Sequence, residues 1–457
     1  MQKTSQSVSP SKRQGHLLRV LGVGFGLAVI IGNTIGAGIF RAPGMIAEQL
    51  PNPWLFLGVW VVGGLYALLG AISLAELGTM LPRSGGQYVF ARYALGEYAG
   101  FIVGWSDWIS TCGSTAAVSL VVGGFAGVLF PRLSGATAIP ATAATVAVFF
   151  AFLQWRGIVW GSNTQNITSL LKALAFMALI VAAFLLGAEG SLTTAGAHTP
   201  PLGFALIVGV VLSLQSVIYT YDGWAGVIYF SEEVENPGRD IPRAMIGGVL
   251  SIVAIYLLVN LALLHVLPIS KMAGQDFPAG AAAQVIFGRH GDTVFRSLTI
   301  LSMFSAINAC QLMATRVLFA MSRDGLFTRR AAMVNEGGTP AVSLFLSTAV
   351  AVLFIAFGQT FEGVINVLAF FFVANYALSF ISVFVLRLRE PAKDRPYRVW
   401  GYPWTTALAL IGSVLFLAGA IWSDITSQTR YSVYAIMLLF VSYPVYLIIK
   451  RLRQRLE

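Results

Sequence analysis

The stretch Gly32-Asn33-Thr34-Ile35-Gly36-Ala37-Gly38-Ile39-Phe40 decides how this chain folds, because it interrupts an apolar run that extends from residue 17 to residue 47. Three glycines and two small polar residues fall within seven positions. Each glycine disfavours a continuous helix by about 1 kcal/mol. In hydrocarbon, unwound backbone is tolerated only where protein buries it or where it lines a wet cavity. The stretch therefore reads as a break inside a membrane-spanning helix. Close helix packing through small residues is the alternative reading.

The whole chain supports a membrane setting. Of its 457 residues, 57% are hydrophobic and 11% charged, against about 25% charged in a typical soluble protein. A soluble chain of this length would split into domains joined by polar linkers, and no such linker is visible in the sequence. A cytosolic enzyme, a disordered chain and a disulfide scaffold are all excluded. The two cysteines, Cys112 and Cys310, lie inside apolar segments.

Runs of about 20 apolar residues predict twelve spans, at 17–47, 54–80, 99–130, 139–155, 163–188, 202–232, 243–267, 291–320, 341–358, 363–387, 404–423 and 431–450. An even count puts both termini on one side. With the tails and the loops after even-numbered spans on one face, that face carries 21 of the 29 lysines and arginines, the other loops five, and the spans three. This bias predicts that both termini are cytoplasmic. The net charge of +10 is then a topology signal, and no nucleic-acid partner is expected.

A second break lies in the sixth span, at Tyr219-Thr220-Tyr221-Asp222-Gly223-Trp224-Ala225-Gly226. Breaks at corresponding places of two halves point to a transporter site. Breaks in spans 1 and 6 fit five helices repeated, over 17–188 and 202–387, with two more helices at 404–450 and short tails at 1–16 and 451–457. Five crossings change sides, so the second copy is inverted. Free N–H groups near Gly36, Ala37, Gly38 and Ile39 suit a carboxylate. Carbonyls near Ile31 and Gly32, and near Tyr219 and Thr220, suit an ammonium. A zwitterionic amino acid would thus be held by backbone.

Five motifs in order carry a family resemblance: Ile35-Gly36-Ala37-Gly38-Ile39-Phe40; Ala75-Glu76-Leu77-Gly78 followed by Leu81-Pro82-Arg83-Ser84-Gly85-Gly86-Gln87-Tyr88; Tyr221-Asp222-Gly223-Trp224; the run from Glu232 to Ala244; and Arg395-Pro396-Tyr397-Arg398-Val399-Trp400-Gly401-Tyr402-Pro403. The chain resembles the amino acid–polyamine–organocation superfamily, and within it the L-type amino acid transporter branch. The resemblance implies an all-α membrane protein with a leucine-transporter-like, five-plus-five inverted-repeat fold. Helices 1 and 6 would be unwound, access would alternate, and the substrates would be amino acids.

Ionisable groups at membrane depth are functional candidates. The resemblance makes Lys172 the lysine that takes the place of a sodium ion and binds carbonyls of the broken first helix; snorkelling to the cytoplasmic face is the alternative. Ser305 and Asn308 would complete that region. Asp222 either meets a substrate cation or titrates, or it caps the resumed helix. Tyr219 matches an outer aromatic gate, or else packs between helices. Ser110, Thr111 and Thr115 match a side-chain pocket, or else bond to neighbouring helices. Glu76, Glu232, Glu233, Arg239 and Arg243 form either an inner-gate ion network or solvated helix ends. Asp107 is expected to pair internally.

No phosphate-cradling Gly-x-x-x-x-Gly-Lys-Ser/Thr loop is present, so no ATP-driven pump is suggested. No cofactor is expected, and His16, His198, His265 and His290 are too scattered for a metal site. The loop from Pro131 to Ile139 lacks the cysteine that links animal members to a heavy chain, so no disulfide-linked partner is expected. The partners expected are the amino acid and the lipid bilayer of a bacterial inner membrane. The expected function is sodium-independent exchange or proton-coupled uptake of small to medium neutral amino acids, with cationic or broad specificity as the alternative. A transporter-derived receptor or a channel is the competing class. A receptor should carry a longer tail, and a channel should carry a ring of charges.

Overall fold

The computed structural model describes residues 17–187, 202–357, 361–426 and 430–454. The expected tail at 1–16 and the last residues of the one at 451–457 lie outside them. The first apolar run forms two helices, α1 (Val23–Thr34) and α2 (Gly38–Gln49), bent by 44° across the break. The next helix, α3 (Pro53–Met80), has a well-defined start. The Asn52 side chain accepts from the N–H groups of Trp54 and Leu55, and Pro53 stands at the first helical position, where an N–H would be unpaired anyway. There follow α4 (Gln87–Leu95), α5 (Glu97–Leu129), α6 (Ala138–Trp155) and α7 (Ile158–Leu186).

The second half opens with α8 (Phe204–Tyr221), whose helical bonding stops before Asp222; a short 3-10 turn covers Gly226–Phe230. Next come α9 (Pro237–Val266), α10 (Ile269–Met272), α11 (Pro278–Phe287), α12 (Gly291–Arg323), α13 (Ala341–Phe357) and α14 (Phe361–Arg389). The chain closes with α15 (Trp404–Thr426) and α16 (Tyr431–Gln454). Among the described residues ten helices are long and apolar enough to cross a membrane, or eleven with α1 and α2 as one span. The 17-residue α13 is apolar but shorter.

Burial orders the bundle. The most apolar window of α5 is 72% buried, against 22% for α15 and α16. So α5, packed along α12, is central, while α15 and α16 lie at the rim. The rim presents large apolar side chains outward, among them Phe440, Trp404, Leu185 and Leu170, as contact with lipid requires.

Two connections differ from the expected loops. The segment after α3 contains α4, too short to span and so invisible to a 20-residue search. It is bounded by Gly86 (φ 64°) and Gly96 (φ 102°), conformations that disfavour other residues. Its buried face of Tyr88, Val89, Phe90 and Ala94 packs on α5 and α14. The segment after α9 contains α10 and α11, which pack against α2. There Phe277 stacks among Phe40, Phe125 and Phe295. At the opposite end, Leu21 pairs with Val234 in a parallel bridge. The N–H groups of Val20 and Leu21 both donate to the Glu233 carbonyl.

Candidate functional site

The two breaks face each other. A side chain at Gly38 would collide with Thr220, its Cβ lying 2.7 Å from the hydroxyl oxygen. Gly223 has φ 112°, and a Cβ there would stand 2.6 Å from the Asn33 amide nitrogen and 2.9 Å from the Thr34 nitrogen. Glycine is needed at both positions because the backbones approach so closely. The Tyr256 hydroxyl, from α9, lies 2.7 Å from the Thr34 carbonyl and 3.0 Å from the Thr220 carbonyl. One phenol thus ties the ends of both interrupted helices.

Around this junction lies a cavity. Of the residues expected from sequence, Gly36, Ala37, Gly38, Thr111, Tyr219, Thr220 and Asp222 line it. The first turn of α2 begins there without a side-chain cap, so its N–H groups are available to an anion. Ile31, Gly32 and Ile39 stand behind the lining and do not reach it. The expected ammonium acceptors already have donors. The Ile31 carbonyl accepts from Ile35, Gly32 from Lys172 and Ser305, Tyr219 from the Asp222 N–H, and Thr220 from Tyr256. The Gly32 carbonyl has both lone pairs engaged, and a further donor must use the second lone pair of one of the others.

Ser110 and Thr115 are also off the cavity. Their hydroxyls bond back to the α5 carbonyls of Asp107 (3.0 Å) and Thr111 (3.1 Å), neither reaching a neighbouring helix nor opening to a pocket. Thr111 bonds back to Asp107 as well, at 2.7 Å, yet its side of α5 is open. Ser114, three residues and about one turn further along, lines the cavity and was not singled out from sequence. Tyr219 lines the cavity and packs against Ala369, Val373 and Phe416.

Lys172 is fully buried on α7, and its ammonium donates to the carbonyls of Gly32 (2.8 Å) and Ile35 (2.5 Å). In this arrangement the ammonium points to α1 and does not snorkel. Ser169 on the same face donates to the Ala28 carbonyl at 2.7 Å, and Gln165 to the same oxygen at 3.2 Å. Side chains at 165, 169 and 172 thus meet carbonyls at 28, 32 and 35 along matched helical faces. Ser305 reaches the Gly32 carbonyl at 3.3 Å. The Asn308 amide donates not to α1 but to the Gln165 side chain, at 2.8 Å, and to the Gly161 carbonyl, at 3.1 Å. Gln165 carries no charge and breaks no pattern, so nothing in the sequence marked it.

Two acids sit near the cavity. Asp222 accepts from the Tyr376 hydroxyl at 2.6 Å. It also meets the backbone N–H of Gly223, where the chain leaves α8. Asp107 accepts from the Tyr229 hydroxyl at 2.8 Å, the internal partner that sequence could not name. Tyr229, Tyr376, Asn33 and Cys310 line the cavity, and all four lie in spans where aromatic, amide and thiol groups carry no local signature. Cys310 Sγ is 3.2 Å from the Asn33 side-chain oxygen.

At the end marked by Leu21 and Val234, the acids separate into distinct pairs. Arg316 binds Glu233 through two bonds of 3.0 Å with both side chains fully buried. Burial raises the Glu233 carboxyl above its ordinary value, and the Arg316 charge opposes that shift. Arg323 holds Glu232 at 2.8 Å. Glu76 is held by Arg387 (2.5 Å), Arg395 (3.1 Å) and the Val399 N–H (2.8 Å). The partners come from α12, α14 and the segment at 395–399, not from the expected Arg239 and Arg243. Those two project from the start of α9 into solvent, where Arg239 reaches only Asp240, at 4.0 Å. Among the described residues, no group of three or more His, Cys, Asp or Glu side chains is placed to hold a metal.

A family model described as amino acid permease matches residues 26–443. The chain is 28% identical to the serine/threonine exchanger SteT of Bacillus subtilis (strain 168), over 90% of this chain and 93% of that protein. It is 28% identical to the Asc-type amino acid transporter 1 of Mus musculus, over 84% and 73%. It is 26% identical to the b(0,+)-type amino acid transporter 1 of Homo sapiens, over 87% and 82%.

Proposed function

The chain belongs to the amino acid permease family, and from that premise we propose that it is a multi-pass secondary transporter exchanging amino acids across a membrane by alternating access. The observation that carries the reading is the junction of the two breaks, with an uncapped helix N-terminus beside a cavity. An α-carboxylate fits the first turn of α2, and the ammonium takes the remaining lone pair of the Thr220 carbonyl, whose residue lines the cavity. The relative named as a serine/threonine exchanger supports small to medium neutral substrates.

The finer architecture belongs to the same proposal. The twelve spans comprise α1 with α2, then α3, α5, α6, α7, α8, α9, α12, α13, α14, α15 and α16. Residues 17–188 and 202–387 form the inverted repeats, both termini are cytoplasmic, and the membrane is that of a bacterial cell. The Lys172 ammonium takes the place of a cation, so transport is independent of sodium. The ion pairs of Glu76, Glu232 and Glu233 close the cytoplasmic side. No disulfide-linked heavy chain takes part.

Counterflow into proteoliposomes tests this. Vesicles loaded with unlabelled L-serine accumulate labelled L-serine in a saturable way, and a panel of the twenty amino acids ranks the competitors. Large conductance without saturation would point instead to a channel. The acid at Asp222 favours a second reading, in which cationic amino acids are also carried. In that case Asp222→Asn weakens lysine uptake more than alanine uptake, and equal effects on both exclude it.

A further inference from the structure

We propose that Tyr376 is a specificity-determining residue: it occupies the Asp222 carboxyl group and so biases the cavity toward neutral and against cationic side chains. The proposal rests on the exchange reading and adds to it the group that sets substrate charge.

Both residues line the cavity. The Tyr376 hydroxyl is 2.6 Å from Asp222 Oδ1, a short bond of the kind made to charged acceptors. Tyr376 comes from α14 and Asp222 from the end of α8, so the bond bridges two elements. The hydroxyl is held in place from behind. The Tyr376 ring stacks on Trp224, with centroids 4.6 Å apart and planes 27° apart, and Trp224 is itself wedged against Gly70 of α3. Tyr376 is 4% exposed, so it has little room to swing aside.

A substrate with a cationic side chain gains from the cavity only by pairing with its acid. Here it meets a carboxylate that already accepts a short bond on Oδ1, so pairing with the cation competes with the Tyr376 hydroxyl for the same charge. A neutral substrate asks nothing of Asp222 and leaves the Tyr376 bond intact. Tyr376→Phe keeps the ring and its stack on Trp224 while removing the donor, which frees the carboxyl.

The test uses the purified full-length chain in proteoliposomes loaded with unlabelled L-serine, with labelled L-serine and L-lysine outside. The lysine-to-serine ratio of initial rates is compared for wild type, Tyr376→Phe and the double variant Tyr376→Phe/Asp222→Asn. In Tyr376→Phe the ratio rises about tenfold, the scale of one hydrogen bond to a charged group, and in the double variant it returns to the wild-type value. An unchanged ratio in Tyr376→Phe, or a rise that persists without Asp222, overturns the proposal. Displacement of bound serine by lysine in detergent gives the same comparison for a variant that binds without turning over. Variants that bind neither amino acid also overturn it, because the pocket must outlast the loss of one hydroxyl. Wild-type protein that exchanges no amino acid fails the exchange reading, a separate result.

Discussion

The Lys172 ammonium lies 2.8 Å from the Gly32 carbonyl oxygen, joining α7 to the last turn of α1 across 140 residues of sequence. Its second bond, 2.5 Å to Ile35, reaches into the break itself. A single charged group thus satisfies carbonyls that the interruption leaves without helical partners, and any movement of α1 must break or carry these bonds.

Lys172→Met removes both donors. The Ile35 carbonyl loses its bond from Lys172 and Gly32 keeps only the long one from Ser305; a buried carbonyl left unpaired costs about 1–3 kcal/mol, so counterflow of L-serine falls by about tenfold or more while the protein still assembles. On the proposal that the Lys172 ammonium takes the place of a cation, replacing sodium by choline leaves wild-type uptake unchanged. A strict sodium requirement in wild type contradicts this role for Lys172.

The glycines at the breaks predict a contrast. A methyl group at Gly38 meets the Thr220 side chain and backbone at 2.7–3.0 Å, whereas one at Gly36 meets nothing nearer than 3.6 Å. Gly38→Ala therefore destabilises by about 1–3 kcal/mol, the usual range for overpacking. Gly36→Ala stays within about 0.5 kcal/mol but raises KM, since Gly36 lines the cavity. Thermal unfolding in detergent and counterflow kinetics read the two effects separately. Equal loss of stability in both variants contradicts the close approach at Gly38.

Glu233 and Arg316 predict a strong coupling. Both side chains are fully buried, and the Glu233 carbonyl also anchors Val20 and Leu21 before α1. Arg316→Met strands a buried carboxylate, which costs about 3–5 kcal/mol. The double variant Arg316→Met/Glu233→Gln recovers most of that loss, because removing both charges removes the desolvation problem. Additive losses in the thermal stability of the two single variants and the double one rule the coupling out.

The breaks were legible because membrane spans leave little else to read: against a uniform apolar background, Gly32 to Gly38 and Asp222 with Gly223 stand out. Lys172 was legible for the same reason. The partners were not. Tyr256 bridges the breaks from α9, Tyr376 holds Asp222 from α14, and Gln165 extends the Lys172 face. A tyrosine or glutamine in a span is unremarkable in composition, and its role depends on which helix the fold brings opposite. The arginines that hold Glu232 and Glu233 show the same limit. Arg239 and Arg243 were near Glu232 and Glu233 in sequence, but helix direction sends them to solvent. Arg316 and Arg323, some 83 and 91 residues away, are the partners.

Cys310 supplies a direct probe of the cavity. Both cysteines are buried, but only Cys310 lines the cavity, with its sulfur 3.2 Å from Asn33 in the first break. A small hydrophilic thiol reagent entering by the substrate's route therefore reaches Cys310 and not Cys112. Attack requires the thiolate and Cys310 is buried, so labelling is slow beside that of an exposed thiol. Saturating L-serine fills the space next to Asn33 and slows it further. Mass spectrometry of the intact protein finds one adduct in wild type and in Cys112→Ser, and none in Cys310→Ser. Labelling that ignores L-serine, or that persists in Cys310→Ser, separates the cavity from the substrate's path.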